Sequence, residues 1–270
     1  MTIRRKLIPL KRYVDYLRFQ MRLRKAEAED RNAQNESSGH AVPPARLRHR
    51  VHGKLDRADF LRVGELVAKD IRAHVVRSGR SWESFSDVLD FGCGSARVLQ
   101  FMLPGNSHIK FYGTDIDEPL VRWCQDNIPG VDWRTNSYMP PTTYADETFD
   151  FIYAISVFTH LDESFQDAWL KELARISRRG AILLLSVHGE HVMSYQRFDE
   201  RQTEQLDQKG FLFVEGVKGR FKLDGLPDFY QNSFHKPEYV ERVWGQYFEV
   251  IEHIPRGIAG HQDAILLRRA

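Results

Sequence analysis

The stretch from Val88 to Leu99, VLDFGCGSARVL, decides the fold. An apolar run leads to an acidic residue, Asp90, and a short turn with two glycines, Gly92 and Gly94, follows it. Glycine lets the backbone turn tightly and approach a ligand without a Cβ in the way. The pattern predicts a strand, a ligand-binding turn and a helix over 95–103 whose first N–H groups are free. By itself, Gly-x-Gly is equally compatible with a plain strand-to-helix turn.

A second acidic residue follows one β-α unit later, in the segment FYGTDID that ends at Asp117. Asp115 closes the predicted strand, 21 positions after Gly94. A carboxylate at the carboxyl end of a parallel strand can accept hydrogen bonds from a ribose diol. We therefore expect a ribose contact from Asp115, with helix capping as the alternative, and assign the N-cap role to Asp117.

Strands and helices alternate around these two motifs. The predicted strands are near-continuous apolar runs at 87–91, 109–114, 131–134, 149–155 and 181–187. Helices are predicted at 57–77, 118–127 and 163–178, the last one ended by Gly180. This order predicts an α/β fold with a parallel sheet and helices on both faces. A short helix over 238–246 precedes two final strands, 248–254 and 264–268, which form a hairpin and add an antiparallel strand.

Composition narrows the class of protein. The chain has 270 residues, of which 42% are hydrophobic and 28% charged, as in ordinary globular proteins. No apolar stretch is long enough to cross a bilayer, and no signal-peptide core follows Met1. The two cysteines, Cys93 and Cys124, fit neither a disulfide framework nor a zinc pattern. We expect a cytoplasmic protein without a metal site.

Positive charge is concentrated at the N-terminus. Residues 1–25 contain nine Lys/Arg and one acid, Asp15, so their net charge is +8. Since the whole chain has a net charge of +2, the remaining residues carry a net charge of −6. A mildly acidic body argues against nucleic acid as a partner. We expect a basic helix, with Pro9 at its start or at a kink, that lies on an anionic membrane surface, docks on a partner or stays solvated. Its apolar residues recur at helical spacing and are Ile3, Leu7, Leu10, Val14, Leu17 and Met21.

A polar linker is predicted over 26–42, so residues 1–42 are interpreted as a leader and residues 43–270 as the folded domain.

As a set, DFGCGSARV, YGTDID, FDFIYAISVFTHL and RRGAILLLSV resemble the successive motifs of class I S-adenosylmethionine-dependent methyltransferases. The resemblance covers residues 60–270 and implies a Rossmann-like seven-stranded sheet, mostly parallel, with an antiparallel strand from the C-terminal hairpin. Arg97 stands at the third glycine position of Gly-x-Gly-x-x-Gly, so the fingerprint of dehydrogenases fails.

The resemblance implies S-adenosyl-L-methionine as the cofactor. The positions that match its binding motifs are Asp90, Phe91, Gly92, Cys93, Gly94, Asp115, Ile116, Asn136, Ser156 and Val157. The glycine turn and Asp90 would hold the methionine part, and Ser156 and Val157 would line that end. Asp115 matches the ribose-binding acid and Ile116 would pack on the adenine.

Two of these cofactor assignments, Asn136 and Cys93, have alternatives, and so does a further contact from the N-terminal arm. Asn136 matches a position that bonds the adenine edge, but it is also a plausible turn asparagine. Cys93 is interpreted as a small buried thiol rather than a nucleophile. In the arm 43–53, Arg48 and Arg50 are candidates to meet the cofactor carboxylate, but a solvated basic segment is the preferred interpretation.

Two histidines are candidates for catalysis. His160 follows the fourth strand, and His261 precedes the last strand, so both belong to the ligand-binding edge of such a sheet. A hydroxyl acceptor needs a base, and neutral imidazole suits that role, whereas a neutral amine needs only positioning. The alternatives are a structural histidine for His160 and a polar hairpin rim for His261.

The insertion at 188–236 is predicted to be a substrate flap. Its aromatic and histidine side chains are His188, His191, Tyr195, Tyr230, Phe234 and His235. We expect a methyltransferase acting on a small-molecule or saccharide acceptor, at a hydroxyl. The alternatives are N- or O-methylation of a natural-product scaffold or a protein side chain, and a non-catalytic cofactor-binding partner subunit.

Overall fold

The computed structural model describes residues 2–32, 39–219, 222–223 and 225–270, with side chains from residue 12 onward. Nine strands are assigned in these ranges: β1 (Asp87–Phe91), β2 (Lys110–Asp115), β3 (Val131–Thr135), β4 (Phe149–Ala154), β5 (Ser177–Val187), β6 (Phe211–Val214), β7 (Asn232–His235), β8 (Glu249–Ile258) and β9 (Gln262–Arg268). The α-helices in the same ranges are α1 (Thr2–Asn32), α2 (Ala45–His52), α3 (Arg57–Arg77), α4 (Glu118–Asn127), α5 (Glu163–Ile176), α6 (Glu190–Met193), α7 (Glu200–Lys209) and α8 (Pro237–Tyr239).

Seven strands form one sheet in the order β3-β2-β1-β4-β5-β9-β8. All neighbours pair in parallel except β9, which is antiparallel to both β5 and β8. The predicted Rossmann-like fold, with an antiparallel strand supplied by the C-terminal hairpin, is confirmed. Because β9 is antiparallel, its first residues share an edge of the sheet with the carboxyl ends of β1, β2 and β4.

Helices cover both faces of this sheet, as the apolar strands predict. On one face Val88 and Phe151 pack with Ile71 and other residues of α3. On the other face Leu89 and Ile152 pack with residues of α5 such as Leu170. Neighbouring residues of one strand thus serve opposite cores, which is why the strands carry no polar alternation.

The predicted helix over 95–103 is wrong. Turns follow the glycine turn, and only a short 3-10 segment, Leu99–Phe101, is helical. Gly94 and Ala96 both have φ of 54°, in the left-handed region, so a right-handed helix cannot start there. No regular helix N-terminus therefore faces a ligand at this turn.

Two further helix ends differ from the prediction. α5 ends at Ile176, where Ser177 turns to extended backbone and its hydroxyl donates to the Leu173 carbonyl. Gly180 consequently lies inside β5 rather than at a helix end. Near the C-terminus, the helix predicted over 238–246 is a short α-turn, Pro237–Tyr239, followed by a π-helix at Val240–Trp244.

The N-terminal helix is longer than the sequence predicts. α1 includes Pro9 and continues through residues 26–32 of the predicted linker, whose Ala, Glu and Arg residues favour helix. The rest of that linker lies partly outside the described residues, at 33–38. Three buried side chains of α1, Phe19, Leu23 and Ala26, pack against Ala45 at the start of α2. α1 is therefore attached to the body of the protein.

The insertion at 188–236 contains α6, α7 and a two-stranded antiparallel sheet of β6 and β7. In the part of the chain with described structure, no helix combines the length and apolar character that crossing a bilayer requires. Cys93 and Cys124 are both buried and unpaired with each other.

Candidate active site

One cavity of about 700 Å³ lies at the carboxyl ends of β1, β2 and β4, between α2 and the segment before β7. The residues predicted from the sequence that line it are Asp90, Phe91, Gly92, Cys93, Gly94, Asp115, Ile116, Asn136, Ser156, Val157 and His160. The fold thus brings together side chains that are up to 70 positions apart in the sequence. His261 is not among the residues that line this cavity.

The glycine turn is enclosed on two sides, so it tolerates no side chain. A Cβ added to Gly92, whose φ is +77°, would lie 2.3 Å from Cγ2 of Val157. A Cβ added to Gly94 would lie 2.7 Å from Cγ2 of Val51 in α2. The turn is held to β2 by the Gly92 N–H, which donates to the Thr114 carbonyl at 2.8 Å. At Gly92 and Gly94, therefore, only backbone atoms can face a ligand.

Asp115 joins the glycine turn to the end of β2. One carboxylate oxygen accepts from the Gly94 N–H at 2.8 Å, and the other accepts from the Asp117 N–H at 2.9 Å. Burial raises the pKa of Asp115 to about 6, against the opposing effect of these bonds. Each oxygen keeps a second lone pair, so Asp115 can still accept hydrogen bonds from a diol in the cavity.

Asp90 and Arg97 are a buried carboxylate and a buried guanidinium at the same end of the cavity. Burial raises the pKa of Asp90 to about 7, although the neighbouring Tyr153 hydroxyl lowers it. Burial also lowers the pKa of Arg97 to about 10, although the Asp90 charge raises it. Arg97 Nη1 bonds Nδ1 of His52 at 2.8 Å, while its buried Nε has no partner among the described residues. This end is suited to a ligand with both an ammonium and a carboxylate group.

The buried charge of Asp90 is expected to destabilise the folded protein when no ligand is bound. The pKa of Asp90 is near 7 in the folded protein and has an ordinary value of 3.8. The free energy of unfolding therefore falls as the pH rises from about 4 to 7, and it stays at the lower value above pH 7. We expect Asp90→Asn to raise the free energy of unfolding without ligand by about 1–3 kcal/mol at pH 8 and by less at pH 5. Denaturant unfolding at the two pH values checks this, and an equal effect at both would contradict it.

Of the two arginines near α2 that were candidates to contact the cofactor carboxylate, only one lines the cavity. Arg48 is fully buried, donates to the carbonyls of Pro43 and Leu55 and pairs with Asp30 at 3.0 Å, so it does not reach the cavity. Arg50 does line the cavity, and its Nη1 donates to both carboxylate oxygens of Asp117, at 2.7 and 3.0 Å. Asp117 occupies the N-cap position of α4 as predicted, but its side chain makes no cap hydrogen bond and pairs with Arg50 instead.

His160, which follows β4, also lines the cavity. Its Nδ1 lies 2.5 Å from the Gln231 carbonyl oxygen, and its ring stacks on Tyr230 with 4.4 Å between centroids. Burial lowers the pKa of His160 to about 4, so the ring is neutral near pH 7. Since a carbonyl can only accept, Nδ1 carries the proton and Nε2 is the unprotonated nitrogen.

Ser156, between β4 and His160, has a strained backbone. Its φ of 60° lies in the left-handed region, which is strained for a residue with a side chain, and such strained residues cluster at functional sites. The Tyr230 hydroxyl donates to the Ser156 carbonyl at 2.7 Å, and Gln262 Nε2 donates to the Ser156 hydroxyl at 2.8 Å. These bonds link β9 and the segment before β7 to the loop that carries His160.

The six side chains singled out in the insertion have different surroundings. Tyr230 lines the cavity together with Phe229, which the sequence alone did not indicate. His188, Phe234 and His235 are buried outside it. His191 and Tyr195 form a separate group with His261, with ring centroids 6.2 and 6.1 Å from that histidine. Within the described parts of the chain, no three His, Cys, Asp or Glu residues are grouped as metal ligands.

Comparisons with known proteins agree with this fold. A family model described as a methyltransferase domain matches residues 89–185. An S-adenosylmethionine-dependent methyltransferase from Clostridium acetobutylicum aligns at 12% identity over 75% of this chain and 90% of that chain, with a TM-score of 0.51. A structure solved in work on converting a disulfide bond into a thioacetal group during echinomycin biosynthesis aligns at 13% identity over 74% and 81%, also with a TM-score of 0.51. The two structures share the fold of this chain.

Proposed function

We propose that the chain is a class I S-adenosylmethionine-dependent methyltransferase and that it methylates a hydroxyl group of a small-molecule or glycan acceptor. The observation that carries the proposal is the position of His160, a neutral imidazole held by the Gln231 carbonyl in the wall of the cavity. A hydroxyl must lose its proton when it is methylated, and an unprotonated nitrogen in reach can take it.

The charged residues of the cavity fit the cofactor. The buried Asp90 would meet the cationic amino group, and the buried Nε of Arg97, which has no partner in the described structure, would donate to the carboxylate. Asp115 would accept from the ribose hydroxyls, with Ile116 and Asn136 beside the adenine. When bound, S-adenosylmethionine supplies a methyl group already activated by its attachment to a sulfonium.

His160 acts on the acceptor side. Its Nε2 accepts the hydrogen bond of the acceptor hydroxyl and orients that oxygen. Its pKa of about 4 makes it a weak base at the start of the reaction. The hydroxyl becomes strongly acidic as its oxygen forms the new bond to carbon, so a weak base is sufficient to take the proton at that point.

The acceptor end of the cavity has aromatic walls. Tyr230 stacks on His160, and Phe229 packs edge-on against Tyr138 at 5.2 Å between centroids. Flat apolar faces next to hydrogen-bonding groups suit a ring-shaped acceptor with several hydroxyls, such as a saccharide. We assign residues 43–270 to the catalytic domain and residues 188–236 to the part that covers the acceptor.

The test is to identify the methylated product. The protein is incubated with cell extract and S-adenosylmethionine carrying an isotope-labelled methyl group, and labelled products are analysed by mass spectrometry. We expect a labelled methyl ether on a small molecule or glycan. Label on nitrogen or on a protein side chain would favour the alternative acceptors. No label above that of an Asp115→Ala control would favour a non-catalytic cofactor-binding subunit.

A further inference from the structure

Helix α1 has a second apolar face that the body of the protein does not cover. The buried side chains Phe19 and Leu23 attach one face of the helix to α2. Tyr13, Leu17 and Met21 are 51, 43 and 64% exposed, although all three are large and apolar. Large apolar side chains that lie together on a surface mark a site of interaction.

The exposed residues form a stripe along the helix together with the half-buried Val14. We call it the outer stripe and define it as Val14, Leu17 and Met21 with Tyr13 at its border. At 100° per residue, Leu17 and Met21 point about 140° or more away from the mean direction of Phe19 and Leu23. The same spacing continues toward the N-terminus in the sequence, at Leu10, Leu7 and Ile3. Of the apolar period noted in the leader, the described side chains Val14, Leu17 and Met21 therefore belong to this outer face.

Basic residues flank the outer stripe. Around the helix, Arg24 lies on one side of the stripe, and on the other side lie Arg18, Arg22 and Lys25. All four are exposed. The first 25 residues carry nine basic residues against the single acid Asp15. Arg18 and Asp15 are 3.8 Å apart at the surface, a pair too solvated to neutralise this charge.

We propose that the outer stripe of α1 docks on an anionic lipid bilayer, with the helix parallel to the membrane surface. An apolar stripe bordered by Arg and Lys on both sides has the charge and shape for the boundary between headgroups and acyl chains. The long basic side chains reach the lipid phosphates while the apolar side chains enter the bilayer.

Docking places the cavity next to the membrane. α1 contacts α2 through Phe19, whose ring lies 4.5 Å from that of His49, and through Leu23 and Ala26 on Ala45. His49, Arg50 and Val51 of α2 line the cavity. α1 is thus the layer between the lipid and the α2 wall of the cavity.

The test uses the full chain and sedimentation with vesicles. We expect binding to vesicles of phosphatidylglycerol and phosphatidylcholine at low salt, little binding to phosphatidylcholine alone, and a decline with added salt. Arg22→Gln combined with Arg24→Gln should weaken binding to the anionic vesicles about 25-fold, about fivefold for each charge.

A matched pair of substitutions separates the outer stripe from general charge effects. Met21→Glu and Val76→Glu each place one negative charge on a helix, at residues that are 64 and 68% exposed. Met21→Glu should weaken vesicle binding at least about tenfold, because it removes an inserted side chain and adds a repelled charge. Val76→Glu, on α3, should bind nearly as the unmodified protein does.

Three results would overturn the proposal. The first is a full-length protein that ignores anionic vesicles at low salt. The second is a Met21→Glu variant that binds vesicles as well as Val76→Glu does. The third is a self-associated protein in solution that Met21→Glu converts to monomer without any change in vesicle binding, because the stripe would then be covered by a second copy.

Discussion

Replacing His160 with Ala is expected to lower turnover by about 10²–10⁴-fold while cofactor binding persists. Of the two candidate bases, His160 and His261, only His160 lines the cavity. Its Nδ1 is engaged by the Gln231 carbonyl, so Nε2 is the nitrogen that can receive a proton. Steady-state kinetics with a hydroxyl acceptor and calorimetry with S-adenosylhomocysteine measure the two effects separately.

The pH profile adds a second observable to this prediction. Burial lowers the pKa of His160 to about 4, so its neutral form predominates above that pH. The ascending limb due to His160 should therefore lie near pH 4, and turnover between pH 6 and 9 should not depend on its protonation. An ascending limb near pH 6.5 that disappears in His160→Ala would contradict the buried environment.

Two control variants make the test of His160 specific. His160→Asn can still donate to the Gln231 carbonyl from its amide but lacks Nε2, so it should be as slow as His160→Ala. His261→Ala should retain turnover, because His261 lies outside the cavity, near Tyr195. If His160→Asn is folded and turns over normally, His160 is a structural residue and the base is another group.

Replacing Asp115 with Ala is expected to weaken S-adenosylhomocysteine binding by about 1–3 kcal/mol, or up to about 150-fold. The ribose loses a charged acceptor, and the glycine turn loses the carboxylate that accepts from the Gly94 N–H at 2.8 Å. Calorimetry on the folded variant measures this loss.

Asp117→Asn is the matched control for Asp115→Ala. Asp117 is two residues away and pairs with Arg50, but it does not bond the glycine turn. We expect its effect on S-adenosylhomocysteine affinity to be smaller. Unchanged affinity in a folded Asp115→Ala variant would remove the ribose assignment.

The sheet could be predicted from sequence because its strands are buried on both faces. Such strands are short apolar runs bounded by turns, so β1 was predicted to the residue and β2, β3 and β4 to within one residue at each end. Helices α3 and α4 were predicted at their observed bounds because their apolar residues recur with the helical period. The antiparallel pairing of β8 with β9 could be predicted because no helix lies between the last two strands.

Elements that depend on tertiary contacts could not be predicted in the same way. The segment after Gly94 has helix-forming residues, but its backbone is forced into the left-handed region at Ala96. The face by which α1 attaches to the body is set by its contacts with α2, whereas Val14, Leu17 and Met21 of the leader's apolar period lie on the outer face. Both cases involve contacts between residues distant in sequence.

In the candidate site, too, residues at strand ends could be predicted from the sequence, whereas residues placed by tertiary contacts could not. Residues of the glycine turn and Asp115 were identifiable, since their positions at strand ends fix where they lie. In the sequence, Arg97 served only to exclude the dehydrogenase motif, in which a glycine stands at this position. Its place next to Asp90 and His52 depends on the fold of α2 and was not predicted. The proximity of Tyr230 to His160 arises from a carbonyl hydrogen bond across 71 positions, which no local pattern encodes.

A crystal structure of the protein with S-adenosylhomocysteine tests the central claim most directly, namely that one cavity holds both the cofactor and the acceptor. We predict that the ribose hydroxyls bond the Asp115 carboxylate, that the amino acid end lies at Asp90 and Arg97, and that the sulfur faces the side of the cavity formed by His160. A nucleoside bound elsewhere, or bound in the cavity with its sulfur turned away from His160, would contradict the account.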